Sequence, residues 1–374
     1  MTTAENTPHQ SLQEFFDTPA VMAAEFKLSP SASEPGSVDE LLALEPESRE
    51  RYLTAALDYP ERYGPSAVTE LIADKYPTIG AGGIQITSGI DEALGLIFTA
   101  LVEPDDRVVL LTPNYPPQRQ LPIWRGAKLV EWQARAENEW VPDLAELREL
   151  LSTPTKLLIT TFPQNPTGFM PDAAYIGELL SIVEESGVLY LSDEIYDGLP
   201  RGRPPLVMAE RSDKAITLHG LSKTSGLPGL RMGWLATRNR LAFERIREVK
   251  NLFNCYVPGP ISVLAEIALR HEGELLARNE AIRAECLKSA SDFFLKHGNL
   301  FAWKAPEAGV LAFPQWLGPG GAKDLSDRLV KEASISFAPS TCFNAGDRNF
   351  RLGLTRRNLG AALERLDGFL SSEL

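Results

Sequence analysis

The 374-residue sequence contains little cysteine and little histidine, and neither residue type is arranged as a site. The three cysteines, Cys255, Cys286 and Cys342, are widely spaced and form no C-x-x-C pair. This spacing argues against a disulfide framework and against a zinc site, and it is typical of a reducing compartment. The four histidines form no metal-ligand cluster, so the sequence predicts no metal centre.

Positive charge and long apolar runs are also scarce. The sequence has 37 Lys and Arg against 50 Asp and Glu, a formal net charge of −13, whereas phosphate-backbone binding needs a basic surface. No apolar stretch approaches the roughly 20 residues of a membrane span, and the N-terminus lacks the pattern of a secretory signal. We therefore expect a cytoplasmic protein that binds neither nucleic acid nor membrane.

The length and the pattern of the sequence indicate an α/β protein with two domains. Residues 1–45 are polar and rich in proline and serine, which predicts an N-terminal arm that joins the small domain. Residues 46–255 alternate strands with helices, which indicates a large domain with a mainly parallel sheet. Residues 256–374 combine long helices with short strands, which predicts a smaller α+β C-terminal domain.

Unusual polar residues follow five predicted strands of the large domain. They lie in SGI at 88–90, PNY at 113–115, QNPTG at 164–168, SDEIY at 192–196 and HGLSKTSGLPGLRMGW at 219–234. Ligands of open α/β sheets bind beyond the carboxyl ends of the strands. The sequence therefore predicts that these five segments form one site.

Together with NFRLGL near the C-terminus, these segments resemble the motifs of fold-type-I enzymes dependent on pyridoxal 5′-phosphate (PLP). The resemblance is to the aspartate aminotransferase family (class I/II aminotransferases), and it covers nearly the whole chain from about residue 45. It implies PLP as the cofactor and Lys223 as the catalytic residue, which forms the Schiff base and moves protons at the substrate Cα. A lysine in this role needs a pKa depressed by burial and by nearby cations.

The same resemblance assigns the groups around the cofactor ring. Side chains alternate along a strand, so only one of Asp193 and Glu194 can point into the site. The DEIY motif assigns Asp193 to the pyridinium nitrogen, whose proton keeps PLP an electron sink. Tyr196 and Asn165 are assigned to the ring 3′-oxygen, and Tyr115 to stacking on the pyridine ring.

For the phosphate, the resemblance implies Gly89 and Ile90 at a helix start, with Arg231 as the phosphate-binding cation. The sequence departs from the family pattern three residues before the lysine, where Gly220 replaces the usual serine or threonine. Either a backbone amide substitutes for that hydroxyl, or Ser222 and His219 do. A second departure is Val68-Thr69, where the family usually has Leu-Arg.

Arg351 in NFRLGL resembles the arginine that binds the substrate α-carboxylate through a bidentate fork, with Asn165 beside it. Tyr59 resembles the tyrosine that reaches the phosphate of the partner subunit, which implies a homodimer with shared active sites. Simple loop packing is the alternative role for Tyr59.

The sequence therefore predicts a PLP-dependent aminotransferase that acts on an α-amino acid and a 2-oxo acid. The segment GLPGLR and the short chain are also similar to capreomycidine synthase-like cyclases and to arginine oxidases, hydroxylases or lyases of natural-product pathways. A third alternative is an amino-acid-sensing regulator built on an aminotransferase domain. Such regulators carry a basic helix-turn-helix domain, and the arm here is too short and too acidic to be one.

Overall fold

The computed structural model describes residues 11–373; residues 1–10 of the predicted arm, including His9, lie outside the described range. The helices are α1 (Leu12–Phe16), α2 (Pro19–Ala23), α3 (Val38–Leu42), α4 (Ser48–Leu53), α5 (Ser66–Ala73), α6 (Gly89–Leu101), α7 (Pro116–Trp124), α8 (Leu144–Leu150), α9 (Ala173–Ser186), α10 (Met208–Arg211), α11 (Arg240–Phe253), α12 (Gly259–Arg270), α13 (Glu272–Lys296), α14 (Ala322–Ala333) and α15 (Leu359–Glu373). The strands are β1 (Phe26–Lys27), β2 (Ile84–Thr87), β3 (Arg107–Thr112), β4 (Lys128–Gln133), β5 (Leu157–Thr161), β6 (Leu189–Asp193), β7 (Ala215–Gly220), β8 (Gly233–Thr237), β9 (Phe301–Ala302), β10 (Leu311–Ala312), β11 (Gln315–Trp316), β12 (Ile335–Ser336), β13 (Ala338–Pro339) and β14 (Phe350–Gly353). None of the helices in the described range is both long and apolar enough to cross a membrane.

A seven-stranded sheet in the order β2-β8-β7-β6-β5-β3-β4 forms the centre of the α/β part. Only β8 runs antiparallel to its neighbours, β2 and β7, so the prediction of a mainly parallel sheet is confirmed. Helices cover both faces: α6 and α11 pack on one side, and α8 and α9 pack on the other. Because both faces are covered, strands such as RVVLLT and LLITT are nearly continuous apolar runs.

A separate apolar core lies among α13, α14, α15 and the short strands of the C-terminal α+β part. The arm reaches this core through β1, which pairs in parallel with β12 (Phe26 opposite Ile335). Leu28 of the arm is buried in the same core. The domain boundaries at residues 45 and 255 stay a prediction.

The sheet topology determines where the polar segments lie. The strands β5, β6 and β7 are parallel neighbours, and their carboxyl ends lead into Asn165, Asp193 and Lys223. Residues 221–232 connect β7 to the antiparallel strand β8 and carry both Lys223 and Arg231. No strand was predicted at GWLAT, and β8 fills that position in the sheet.

Candidate active site

Lys223 lies in the connection that follows β7, and its amine points into the interior of the protein. The Nζ atom donates a hydrogen bond to Ser31 Oγ at 3.0 Å and lies 5.8 Å from the centroid of the Tyr196 ring. Burial, aided by the positive charge of Arg351, lowers the pKa of Lys223 to about 8. A substantial fraction of the amine is therefore neutral, and nucleophilic, near neutral pH.

Asp193 is the last residue of β6 and Glu194 follows it, and their side chains point in opposite directions, as expected for neighbours in an extended segment. Asp193 Oδ2 accepts a hydrogen bond from Gln118 Nε2 at 2.7 Å, and Oδ1 accepts one from the Ile195 amide at 3.2 Å. Glu194 Oε1 instead accepts from the Met208 amide at 3.0 Å and from Thr217 Oγ1 at 2.9 Å. Glu194 is therefore held by the scaffold.

Burial raises the pKa of Asp193 to about 7, although the hydrogen bonds from Ile195 and Gln118 oppose the rise. No Lys, Arg or His side chain within residues 11–373 forms an ion pair with this carboxylate. An unpaired buried carboxylate is costly, and a positively charged group beside it would lower that cost. The position of Asp193 therefore suits a cationic ring nitrogen.

Arg351 on β14 is also buried without an anionic partner among the described residues. Its Nε and Nη2 atoms donate to the Ser29 carbonyl oxygen at 3.2 and 2.9 Å, and Nη1 donates to Asn165 Oδ1 at 3.2 Å. The rings of Phe16 and Phe343 lie 5.8 and 5.2 Å from its guanidinium carbon. Burial lowers the pKa of Arg351, because a charge inside the protein loses its hydration.

Gly89 begins α6, where unpaired backbone amides and the helix dipole favour an anion. Its φ of +78° favours glycine, and a Cβ there would lie 2.4 Å from Arg231 Nη2. The missing side chain therefore lets the guanidinium approach the helix start directly. Ile90, the next residue, is partly buried against the neighbouring core.

Arg231 itself adopts the left-handed region with φ +50°, an uncommon conformation for a residue other than glycine. Its Nη2 atom lies 3.3 Å from Asp91 Oδ2, and the Asp91 Oδ1 atom accepts from the Tyr115 hydroxyl at 3.0 Å. Burial raises the pKa of Tyr115, and it raises that of the buried Tyr196 to about 12, so both phenols stay protonated.

Gly220 ends β7 directly opposite Gly233 of β8. A Cβ at residue 220 would lie 2.7 Å from the Met232 carbonyl oxygen and 2.9 Å from Gly233 Cα. No side chain fits this gap without a shift of the backbone, so the departure from the family pattern has a steric cause. The neighbouring Ser222 is buried.

His219 and Val68 belong to the packing around these elements. His219 Nδ1 accepts from the Gly220 amide at 2.7 Å, its ring stacks on Trp234 at 5.2 Å, and burial lowers its pKa. Val68 is buried in the core beside α12, and Thr69 Oγ1 donates to the Pro65 carbonyl oxygen at 3.0 Å. Val68-Thr69, which stands where the family usually has Leu-Arg, is therefore part of the packing around α5.

Tyr59 is the predicted site residue that the single chain does not bring to the others. Its side chain is 81% exposed, and its ring lies 4.9 Å from that of Tyr256. Asp193, Tyr196 and Arg351 lie near Lys223, and Arg231 and Tyr115 contact Asp91 in the first turn of α6.

Four residues that contact this group were not predicted from the sequence. They are Ser29, Ser31, Asp91 and Gln118. The serines belong to a polar stretch whose composition is that of a loop, and Gln118 lies inside a helix, so neither carried a recognisable signal. The position of Asp91 in the first turn of α6 could have indicated its place beside Arg231.

Taken together, these residues fit PLP. The site contains the nucleophilic amine of Lys223 and the buried carboxylate of Asp193, which forms no ion pair among the described residues. It also contains the start of α6, where the absence of a side chain at Gly89 leaves room for the Arg231 guanidinium. An aldehyde, a pyridine nitrogen and a phosphate are the groups that such residues would hold.

Comparison with known proteins supports the same family. The family model for aminotransferase class I and II matches residues 40–366. Capreomycidine synthase from Streptomyces vinaceus is 30% identical over 290 residues, which cover 76% of this chain and 74% of that protein. Aspartate aminotransferase from Sulfurisphaera tokodaii is 27% identical over 303 residues, with coverage of 76% and 74%.

Solved structures give the same result. A PLP-dependent aminotransferase from Streptococcus suis superposes with a TM-score of 0.88 at 29% identity, covering 94% of each chain. The PLP-dependent cyclase OrfR shares the fold, with a TM-score of 0.86 at 24% identity and coverage of 100% and 99%. The chain is therefore an enzyme of the aminotransferase class I and II family with the fold-type-I architecture, and its cofactor is pyridoxal 5′-phosphate.

Proposed function

We propose that the enzyme is an aminotransferase that moves the amino group of an α-amino acid to a 2-oxo acid. One observation carries the proposal: the buried groups Lys223 and Arg351 lie in one site, and neither forms an ion pair with a carboxylate of the described residues. A nucleophilic amine beside an uncompensated guanidinium suits a substrate that carries an amino group and a carboxylate on one carbon.

In this proposal, the residues around Lys223 hold the cofactor. Lys223 would bind it covalently, Asp193 would hold the proton at the pyridine nitrogen, and Asn165 and Tyr196 would hydrogen-bond the ring oxygen. Tyr115 would stack on the ring. Gly89, Ile90, Ser222 and Arg231 would hold the phosphate, with Tyr59 contributed by a partner subunit. When bound, PLP withdraws electrons from the bonds at the substrate Cα.

Arg351 and Lys223 then act on the substrate. The planar guanidinium of Arg351 would bind the α-carboxylate through two parallel hydrogen bonds. Asn165 Oδ1, which accepts from Nη1 at 3.2 Å, holds the guanidinium in its orientation. The substrate carboxylate would either replace the Ser29 carbonyl oxygen as the acceptor for Arg351 or accept from the guanidinium together with it. Lys223 would take the proton from the substrate Cα and return a proton during the transfer.

The similarity to capreomycidine synthase supports a second candidate, a PLP-dependent cyclase of the capreomycidine synthase kind. Both reactions begin with loss of the Cα proton, so Lys223, Asp193 and Arg351 serve either outcome. The step after proton removal decides the product, and the groups around the site permit both.

A panel of α-amino acids mixed with the loaded enzyme is expected to change the cofactor absorbance, and mass analysis should find 2-oxo acids. Amines that lack the α-carboxylate should react at least about 100-fold more weakly, because they leave Arg351 unpaired. Each amino acid is compared with the amine that its decarboxylation gives, so the two compounds of a pair differ only in the α-carboxylate. The result is read as relative kcat/KM within each pair.

A cyclic product formed from a basic amino acid, with no 2-oxo acid and no amine form of the cofactor, would favour the cyclase. Equal reaction of the decarboxylated amines would contradict the role proposed for Arg351. Reaction of neither compound would contradict both candidates.

A homodimer is the second part of the proposal, and an exposed apolar patch supports it. The patch consists of Leu53, Leu57, Tyr59, Leu252 and Phe253, whose side chains are all more than 70% exposed. Its two segments touch, because the Tyr63 amide donates to the Cys255 carbonyl oxygen at 2.7 Å. Exposed apolar side chains gathered in one region of the surface are a common feature of protein–protein interfaces.

The patch is also connected to the phosphate end of the site. Lys250, one turn before Phe253 on α11, is buried and forms an ion pair with Glu92 at 2.9 Å. Glu92 in turn accepts from the Ser88 amide at the start of α6. A second copy docked on the patch would therefore sit beside the start of α6, where Tyr59 of each chain is proposed to contribute.

We expect the protein to sediment at twice the 41.1 kDa mass of the chain, and a Leu252→Asp/Phe253→Asp variant to sediment mainly as a monomer. Obligate interfaces usually bury more than about 2,000 Å², and two charges in such an interface would be desolvated without partners. Leu295→Asp, on an equally exposed leucine of α13, is the control and should remain dimeric. A wild-type protein fully active at 41.1 kDa would exclude shared active sites.

A further inference from the structure

Residues 29–33, a segment of the arm, pass across both Arg351 and Lys223. Ser29 is fixed at one end: its carbonyl oxygen accepts from Arg351, and its Oγ donates to the Arg351 carbonyl oxygen at 2.7 Å. The same Oγ accepts from the Ala338 amide at 2.6 Å. Ser33 is fixed at the other end, where its amide donates to the Lys223 carbonyl oxygen at 2.9 Å. The backbone between these two points has little freedom.

Ser31 lies between the two anchors, and its Oγ accepts from Lys223 Nζ at 3.0 Å. Within residues 11–373 it is the hydrogen-bond partner of this amine, and no carboxylate there lies in ion-pair distance of Nζ. A single hydroxyl therefore determines the direction of the Lys223 N–H groups. Because one N–H points to Ser31, the lone pair of the neutral amine points elsewhere.

The hydroxyl of Ser31 is not required to hold the segment in place. Ser29 and the backbone of Ser33 supply the anchors, and the Ser33 hydroxyl is buried without a partner in the described structure. Ser31 is only partly buried, so water could replace its hydroxyl as far as folding is concerned. The Ser31 hydroxyl thus lies between two groups of the site, the Lys223 amine and the Tyr196 hydroxyl, rather than among the contacts that anchor the segment.

We propose that Ser31 is a positioning residue, whose hydroxyl orients the Lys223 amine and stabilises its ammonium form after it has taken a proton. The inference rests on the role proposed for Lys223. A hydrogen bond to a charged donor is stronger than one between neutral groups, so Ser31 favours the amine most when it carries the transferred proton. Lys223 and Arg351 are thereby linked by one five-residue segment of the arm.

The test compares Ser31→Ala and Ser31→Thr with Ser33→Ala, the control that removes a hydroxyl without a partner from the same segment. Ser31→Ala should lower kcat by roughly 10- to 100-fold with a smaller change in KM, because it removes one hydrogen bond to a charged group. Ser31→Thr retains the hydroxyl and should restore most of the activity. Ser33→Ala should stay within about threefold of wild type.

A second measurement does not depend on turnover. After removal of the cofactor, the rate of PLP recapture is followed against pH by absorbance, because only the neutral amine attacks the aldehyde. Loss of the Ser31 acceptor disfavours the ammonium form, so the midpoint in Ser31→Ala should move about one pH unit lower. If the alanine variant does not fold, Ser31→Cys takes its place in the test. Its thiol is a weak acceptor, so the same downward shift of the midpoint is expected.

A Ser31→Ala protein that matches Ser33→Ala in both kcat and recapture midpoint would overturn the inference about Ser31 and leave the role proposed for Lys223 unaffected. A Ser31→Thr protein as impaired as Ser31→Ala would also overturn it, because the hydroxyl would then not be the active feature. PLP fixed by borohydride to a Lys223→Ala protein would overturn the role of Lys223 itself, and the inference with it.

Discussion

Replacement of Lys223 by alanine is expected to abolish turnover and to prevent borohydride from attaching the cofactor covalently to the protein. The wild-type protein should be yellow, and peptide mass analysis after reduction should place the cofactor on Lys223. The prediction depends on three features of the Lys223 amine: it is buried, its pKa is lowered to about 8, and it lies near Arg351. No residual activity above about a thousandth of wild type is expected without the nucleophile.

Two controls make this result specific. Lys223→Arg keeps the positive charge but replaces the amine with a guanidinium that stays protonated, so it should fail as alanine does. Lys214→Ala removes a partly buried lysine just before β7 and should retain the reducible cofactor. For the wild type, recapture of PLP should accelerate as the pH rises through about 8, because the neutral fraction of Lys223 grows. A Lys223→Ala protein that still held a borohydride-fixed cofactor would contradict the assignment.

Much of the fold could be predicted from the sequence because the signals are local. Strands buried on both faces need continuous apolar runs, as in RVVLLT and LLITT, and helices between them need apolar residues every three to four positions. Polar residues at the carboxyl ends of such strands, such as Asp193 at the end of β6, then fall at one edge of the sheet. The strand β8 was missed because its short GWLAT run follows a stretch rich in glycine.

The contacts that complete the site could not be predicted, since they join distant parts of the chain. Ser31 meets Lys223 across 192 residues, and Gln118 meets Asp193 across 75. Serine in a loop and glutamine in a helix are common on any surface, so only the folded backbone reveals their partners. The glycine at residue 220 also has a three-dimensional cause, the close approach of β8.

Asp193→Asn is expected to lower kcat by about a thousandfold and to weaken PLP binding. Holding a proton on the pyridine nitrogen through a shift of about three pKa units requires roughly 4 kcal/mol, which a buried carboxylate can supply and a neutral amide cannot. Burial raises the pKa of Asp193 to about 7 in the cofactor-free chain. PLP affinity of the wild type should therefore fall below about pH 7, where Asp193 becomes protonated and loses its charge.

Glu194→Gln provides the matched control, because Glu194 is an adjacent buried carboxylate that bonds to the Met208 amide and Thr217 rather than to the site. It should alter the thermal unfolding temperature while leaving kcat within about threefold. The experiment measures kcat, the PLP dissociation constant from pH 6 to 9, and the unfolding temperature of both variants. In Asp193→Asn the contribution of Asp193 to this fall should disappear, because asparagine has no proton to gain, and only the dependence set by Lys223 near pH 8 should remain. Near wild-type turnover in that variant, or an unchanged pH dependence of binding, would show that another group holds the ring nitrogen.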